Sequence, residues 1–220
     1  MIYPRLRKDY DGEFVVVETR VSNNKTEQVR EWIPNVIKNH HISGRAAVLG
    51  SDTDSKFFKY QRLERHRGGL LGQKRLQTYG TGDLWKQMRF NFFAATQPDL
   101  IKELGQSDYD KETIVFTSPR YCLEYPGKFY LVPHLPIVNQ MALPVYLSAF
   151  DGHTEIFLLG YNSGFDAGDP NWMDDVNQVF QAYNGVRFYL VTRQNLPATW
   201  LKNDNVTVMD YRKFISYCDI

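Results

Sequence analysis

The run Ala46-Ala47-Val48-Leu49-Gly50-Ser51-Asp52-Thr53-Asp54-Ser55 decides how the rest of the chain reads. Four apolar residues pass without a break into a glycine and then a polar turn, the pattern of a strand covered on both faces that ends at a loop. Working outward, similar short runs recur: Leu76–Tyr79, Phe92–Ala95, Thr113–Phe116, Phe129–Val132, Ile156–Leu159, Val186–Val191 and Val206–Met209. The segments between them are long enough for helices, and strands that alternate with helices imply a parallel sheet. The expected fold is α/β: a mostly parallel sheet with helices on both faces, preceded by an N-terminal arm.

Helix signals support the alternation. Pro98 opens a short helix over Asp99–Leu104 that stops at Gly105, and a helix is expected within Asn139–Phe150, either kinked at the internal Pro144 or starting there. From Asp169 to Tyr183 the signals are fuller. Asp169 is placed to cap and Pro170 to start the helix, with Asp174 and Asp175 in its N-terminal half. Val176, Val179, Phe180 and Tyr183 share one face, and Asn184-Gly185 reads as a left-handed stop. A further helix is expected over Lys56–Arg65, and a closing one over Tyr211–Tyr217. Residues 1–44 read differently: Phe14–Val17 suggests an edge strand, and the polar stretch Ser22–Arg30 a surface arm. The basic, glycine-bearing segment Arg65–Arg75 reads as a solvated loop. The chain is expected to form one domain over 1–220, with 1–44 as arm and edge strand and 45–220 as core.

Composition narrows the function classes. With 220 residues, 26 Lys+Arg against 25 Asp+Glu and a net charge of +1, the chain lacks the concentrated cationic field that phosphate-backbone binding needs. No apolar stretch reaches the roughly 18 residues of a membrane span, and Met1-Ile2-Tyr3-Pro4-Arg5 lacks the apolar core of a secretory signal. An intracellular address is expected, with no membrane partner. Cys122 and Cys218 lie far apart without CxxC spacing and read as free thiols.

Ligands of open α/β sheets bind outside the carboxyl ends of the strands, where strand order reverses. The residues that follow each strand are therefore the candidates. Gly50 permits close backbone approach, and Ser51 and Ser55 offer hydroxyls and N–H groups to a phosphate. Asp52 and Asp54 place negative charge there, so either a divalent metal such as Mg²⁺ lies between them or the turn only caps a helix. After the next strand, Tyr79-Gly80-Thr81-Gly82-Asp83 sets flexible backbone beside a carboxylate, a pattern suited either to ribose or sugar hydroxyls or to an ordinary strand-to-helix turn capped by Asp83. Thr117 and Ser118 precede Arg120, whose guanidinium can grip phosphate or carboxylate. Gly160-Tyr161-Asn162 follows the most apolar strand, where a base or ribose is expected.

Of the five histidines, His134 falls at the ligand-facing end and is a candidate general base. His153 falls at the opposite edge and reads as structural. His40, His41 and His66 read as surface residues. No HxxxH spacing marks a metal site and no GxSxG elbow marks a serine hydrolase.

Taken in order, the stretches AAVLGSDTDS (46–55), GGLLGQKRLQTYGTGDLWKQ (68–87), FNFFAATQPDLIKEL (90–104), TIVFTSP (113–119) and ALPVYLSAFDGHTEIFLLGYN (142–162) resemble a Rossmann-type family. That family groups MptE-type 6-hydroxymethylpterin diphosphokinases with sialyltransferase-like glycosyltransferases, and has copies in tailed phages of marine bacteria. The resemblance covers about Arg45 to Asn162. Its members typically carry a Gly-Asn-Gly-Pro-Ser first turn, a Tyr-Gly-Cys-Asn-type second turn and a Gly-Phe-Asp ending. Gly50, Tyr79, Gly80 and Gly160 match. The first turn here lacks the second glycine and the proline, the second lacks its asparagine, and Asn162 replaces the terminal aspartate.

The resemblance implies a transferase with a nucleotide-activated donor. Gly50, Ser51 and Ser55 would lie near the phosphates, with Tyr79 to Gly82, Thr117, Ser118, Tyr161 and Asn162 around the nucleotide. Arg120, Asp83 and His134 would serve catalysis. The departures from the motifs support an alternative: a non-catalytic virion or assembly protein on the same fold, in the host cytoplasm or the virion. Its aromatic share of 15% would serve interfaces, and the arm Met1–His41 would be exchanged between subunits of a homo-oligomer.

Overall fold

The computed structural model describes residues 2, 4, 6–9, 13–22, 25–34, 44–50, 56–66, 76–133, 139–162 and 171–220. Eight strands form one sheet: β3 (Arg45–Leu49), β4 (Gln77–Thr81), β5 (Phe92–Ala94), β6 (Ile114–Thr117), β7 (Tyr130–Leu131), β8 (Glu155–Leu159), β9 (Arg187–Val191) and β10 (Val206–Met209). The order is β10-β9-β8-β3-β4-β5-β6-β7 and every pairing is parallel. All eight apolar runs become strands of this sheet, and the fold is Rossmann-like α/β.

The period-2 pleat sorts each run between two cores. Ala46, Val48, Ile156, Leu158, Phe188 and Leu190 face one layer, which holds α3 (Leu143–Phe150) and α4 (Trp172–Ala182). Ala47, Leu49, Phe157, Leu159, Tyr189 and Val191 face the other, which holds α1 (Pro98–Gly105) and α5 (Tyr211–Cys218). Both faces are thus covered, which explains why β3 and β8 are apolar after their first residue, over Ala46–Leu49 and Ile156–Leu159. All eight residues of α3 are buried, as a helix without a polar face requires. This helix lies against β3, β4, β5 and β8 on the path from the β7 edge back to β8.

Several local expectations are corrected. Phe14–Val17 is no edge strand of the main sheet. It belongs to β1 (Glu13–Ser22), which pairs antiparallel with β2 (Lys25–Pro34) in a separate two-stranded sheet, from Glu13 opposite Pro34 to Ser22 opposite Lys25. The polar stretch read as a surface arm is therefore largely strand, because a paired backbone satisfies its N–H and C=O groups whatever the side chains.

The segment Lys56–Arg65 forms a short 3₁₀ helix over Tyr60–His66. Its buried Tyr60 and Leu63 are three apart, the period of a 3₁₀ turn. The helix α4 starts at Trp172 after Asn171, while Asp169 and Pro170 lie outside the described residues. Its end needs no left-handed residue. Tyr183 N–H donates to Val179 O, Val186 N–H donates to Tyr183 O, and neither Asn184 nor Gly185 has positive φ.

Candidate functional site

In the strand order, β3 has β4 on one side and β8 on the other, so the chain's direction of travel across the sheet reverses between β3 and β8. At their carboxyl ends Gly50 N–H donates to Leu159 O (3.0 Å). Gly160 then takes φ +73°, a left-handed conformation suited to glycine, and turns the chain into Tyr161 and Asn162. Both are buried. The Tyr161 phenol donates to Met141 O (2.8 Å), and burial pushes its pKa well above the usual value.

A Cβ on residue 50 would lie 2.7 Å from Tyr161 Cε2 and 2.8 Å from the Met141 methyl. The open face of Gly50 is thus covered by side chains of this chain. Gly80 has a comparable role, since a Cβ there would meet the Phe90 ring at 2.6 Å.

The other candidates disperse along the carboxyl edge. Thr81 Oγ1 donates to Ala94 O (2.8 Å) inside the sheet. Gly82, at φ +65°, opens onto free space. The Asp83 side chain is 84% exposed and pairs with Lys86 at 3.0 Å, which also reaches Glu103 at 3.0 Å. Thr117 is buried, and its Oγ1 has no hydrogen-bond partner among the described residues. Ser118 precedes α2 (Pro119–Glu124) without capping it. Arg120 is exposed with its guanidinium 5.6 Å from the Tyr121 ring centre. Three strand spacings separate β6 from β3, about 14 Å, so Arg120 is not brought to the reversal point. Ser51, Asp52, Asp54, Ser55 and His134 lie outside the described residues. Among the described residues no group of three His, Cys, Asp or Glu is disposed to hold a metal ion, and no helix is long and apolar enough to cross a membrane.

Two backbone donors just before α1 are already used. Gln140 Oε1 accepts from Thr96 N–H (2.8 Å) and Gln97 N–H (3.0 Å), which places a neutral acceptor where an anion would otherwise be drawn.

The Tyr79 ring points into the core. Its hydroxyl donates to Asp151 Oδ2 (2.5 Å) and lies 2.9 Å from His153 Nε2. The phenol's single proton goes to Asp151, so the His153 nitrogen is the donor and carries the hydrogen. Burial, then the Asp151 charge, drives the Tyr79 pKa far up. Arg7 Nε donates to the other Asp151 oxygen, its guanidinium stacked over Phe150 and Phe116. The histidine read as structural is fully buried in this network.

A second group was not legible in the turns. Lys56 and Phe57, beyond the β3 turn, meet Arg193, two residues past β9, and Tyr211, which opens α5 after β10. Phe57 stacks on Tyr211 with centres 6.3 Å apart. Lys56 Nζ lies 5.0 Å and Arg193 Cζ 5.6 Å from the Phe57 ring centre. The one sequence signal was the adjacent pair Phe57-Phe58 in a polar stretch.

Compared with protein-family models, curated proteins and solved structures, the chain gives no significant match.

Proposed function

We propose that the chain is a transferase that takes a nucleotide-activated donor, of glycosyltransferase or diphosphokinase type, at the carboxyl ends of β3 and β8. The observation that carries this reading is the strand order, which reverses between two strands that end in Gly50 and Gly160. In open parallel sheets that crevice is where nucleotides are held. The motif resemblance over Arg45 to Asn162 supports the same assignment. On this reading the β8 ending, Tyr161 and Asn162, lines the nucleotide, and Arg120 supplies positive charge farther along the edge.

A second reading has its own support. Tyr161 and Met141 cover Gly50, and Gln140 takes the Thr96 and Gln97 N–H groups just before α1. Such filling favours a non-catalytic virion or assembly component on the same scaffold.

Calorimetric titration of the purified protein with ATP, CMP, CDP and UDP, each with and without Mg²⁺, separates the two. Saturable binding of one of the four by the folded protein is the expected result for a transferase. A folded protein that binds none of the four overturns the transferase reading in favour of the second.

A further inference from the structure

The cluster around Phe57 lies at the same edge as the strand-order reversal and has a chemistry that core packing does not explain. Phe58 already anchors the segment. It is buried, stacked on Tyr211 at 5.8 Å and 14°, and edge-on to Phe214 at 5.6 Å. Phe57 adds a second ring to this stack and stays 39% exposed.

Two cations are gathered at that ring, Lys56 and Arg193, and neither forms an ion pair with a carboxylate among the described residues. Asp210, whose charge acts on Arg193, lies beyond ion-pair distance from it, and its Oδ1 accepts Lys213 N–H (2.8 Å) as the cap of α5. Two like charges held beside one ring repel each other, and an anion between them would turn repulsion into attraction. The molecule that satisfies both features carries a flat aromatic face and a phosphate.

We propose that Phe57 is the stacking platform for the base of a nucleotide, and that Lys56 and Arg193 clamp its phosphates. This inference rests on the nucleotide-donor reading and names the binding residues that reading lacks. β9 adjoins β8 in the sheet, so Arg193 lies one strand from the reversal point, whereas Arg120 lies on the far side of β4 and β5. A base laid on Phe57 would extend the Phe57–Tyr211 stack outward by one ring, a sequence-tolerant contact open to any nucleobase. Arg193 would supply the planar, multi-donor grip on phosphate oxygens and Lys56 a compact charge.

The test is calorimetric titration with CMP, CDP, UDP and ATP, with ribose 5-phosphate, which lacks a base, and with the nucleosides, which lack phosphate. The proteins are wild type, Phe57→Leu, Lys56→Ala, Arg193→Ala and, as a control on an exposed face of α1, Lys102→Ala. Phe57→Leu keeps apolar bulk, so the fold is retained and the aromatic face is lost. The expected result has three parts. Phe57→Leu weakens nucleotides about tenfold and leaves ribose 5-phosphate unchanged. Lys56→Ala and Arg193→Ala weaken both phosphate-bearing ligands about tenfold and leave nucleosides unchanged. Lys102→Ala matches wild type.

Nucleotide binding by wild type that persists at equal affinity in the Phe57, Lys56 and Arg193 variants overturns this inference and leaves the transferase reading standing. Equal loss of nucleotide and ribose 5-phosphate in Phe57→Leu also overturns it, since stacking would then not be the contact removed. Absence of all binding in wild type overturns both.

Discussion

Tyr161 lies against the bare α-carbon of Gly50, with Cε2 only 2.7 Å from where a Cβ would be. The φ of Gly50 is not in the left-handed region, so what this position requires is space, not an unusual dihedral. Gly50→Ala is therefore expected to destabilise the protein by about 1–3 kcal/mol through overpacking, read as a lower denaturant midpoint. In a Tyr161→Ala background, where the ring is gone, the same change should add far less. Additive effects would show that the contact does not set the requirement.

Arg7 and Asp151 are 144 residues apart in the chain, yet their side chains pair with 2% and 0% exposure. Removing one partner from such a pair leaves a buried charge without its counter-ion, a loss of about 3–5 kcal/mol. Arg7→Ala and Asp151→Ala are each expected to fall in that range in urea unfolding. The double change Arg7→Met with Asp151→Leu should recover most of it, since an apolar pair needs no charge compensation. No recovery in the double variant would show that Tyr79 and His153 depend on the Asp151 carboxylate more than Arg7 does.

At the amino edge of the sheet, Glu155 gathers Arg45 Nε (2.7 Å), Arg187 Nη2 (2.8 Å) and the Tyr217 hydroxyl (2.7 Å). Burial alone would raise the Glu155 pKa. The hydrogen bonds from Tyr217 and Arg45 and the two guanidinium charges overcome it and hold the carboxyl below its usual value. A depressed carboxyl contributes stability above its unfolded pKa, near 4.5, and loses it as pH falls through the folded one. Tyr217 has the opposite sign. Its hydrogen bond to Glu155 raises it from 10.0 to about 12, so its contribution is complete below pH 10 and disappears between 10 and 12. Tyr217→Phe is expected to flatten the alkaline limb of the stability–pH profile in that window, and Glu155→Gln the acid limb. Unchanged limbs in both variants would disprove the linkage.

How far the sequence could be read depends on the range of each signal. Eight apolar runs became eight strands because a strand buried on both faces leaves a local mark. The β1–β2 hairpin left none in its second half, where Lys25–Pro34 is mostly polar and the pairing is carried by backbone. At the site, each strand-end turn could be located from sequence, but the direction of its side chains could not. Tyr79 looks like a ligand residue until the pleat turns its ring toward Asp151. Gly50 looks like an opening until Tyr161, just past a strand that lies far along the chain, covers it. The Phe57–Arg193 cluster is assembled from the ends of three strands, and nothing in any one segment announces it.

Both cysteines answer a question about local opening. Cys122 and Cys218 are 6% and 1% exposed, and burial pushes each thiol up to about 12. At pH 8 only about one thiol in ten thousand would be thiolate, the form that attacks. In the native protein neither is expected to react with Ellman's reagent over the time in which the unfolded chain releases two equivalents. The two differ in what must open to expose them. Cys218 closes α5 against the larger of the two cores that contain these cysteines, whereas Cys122 sits in α2 in a small satellite cluster with Leu131 and Leu123. Cys122 is therefore expected to react first at sub-denaturing urea, with α5 still in place. Faster reaction of Cys218 would show that the carboxy-terminal helix, which also carries Tyr211 beneath Phe57, is the weaker attachment.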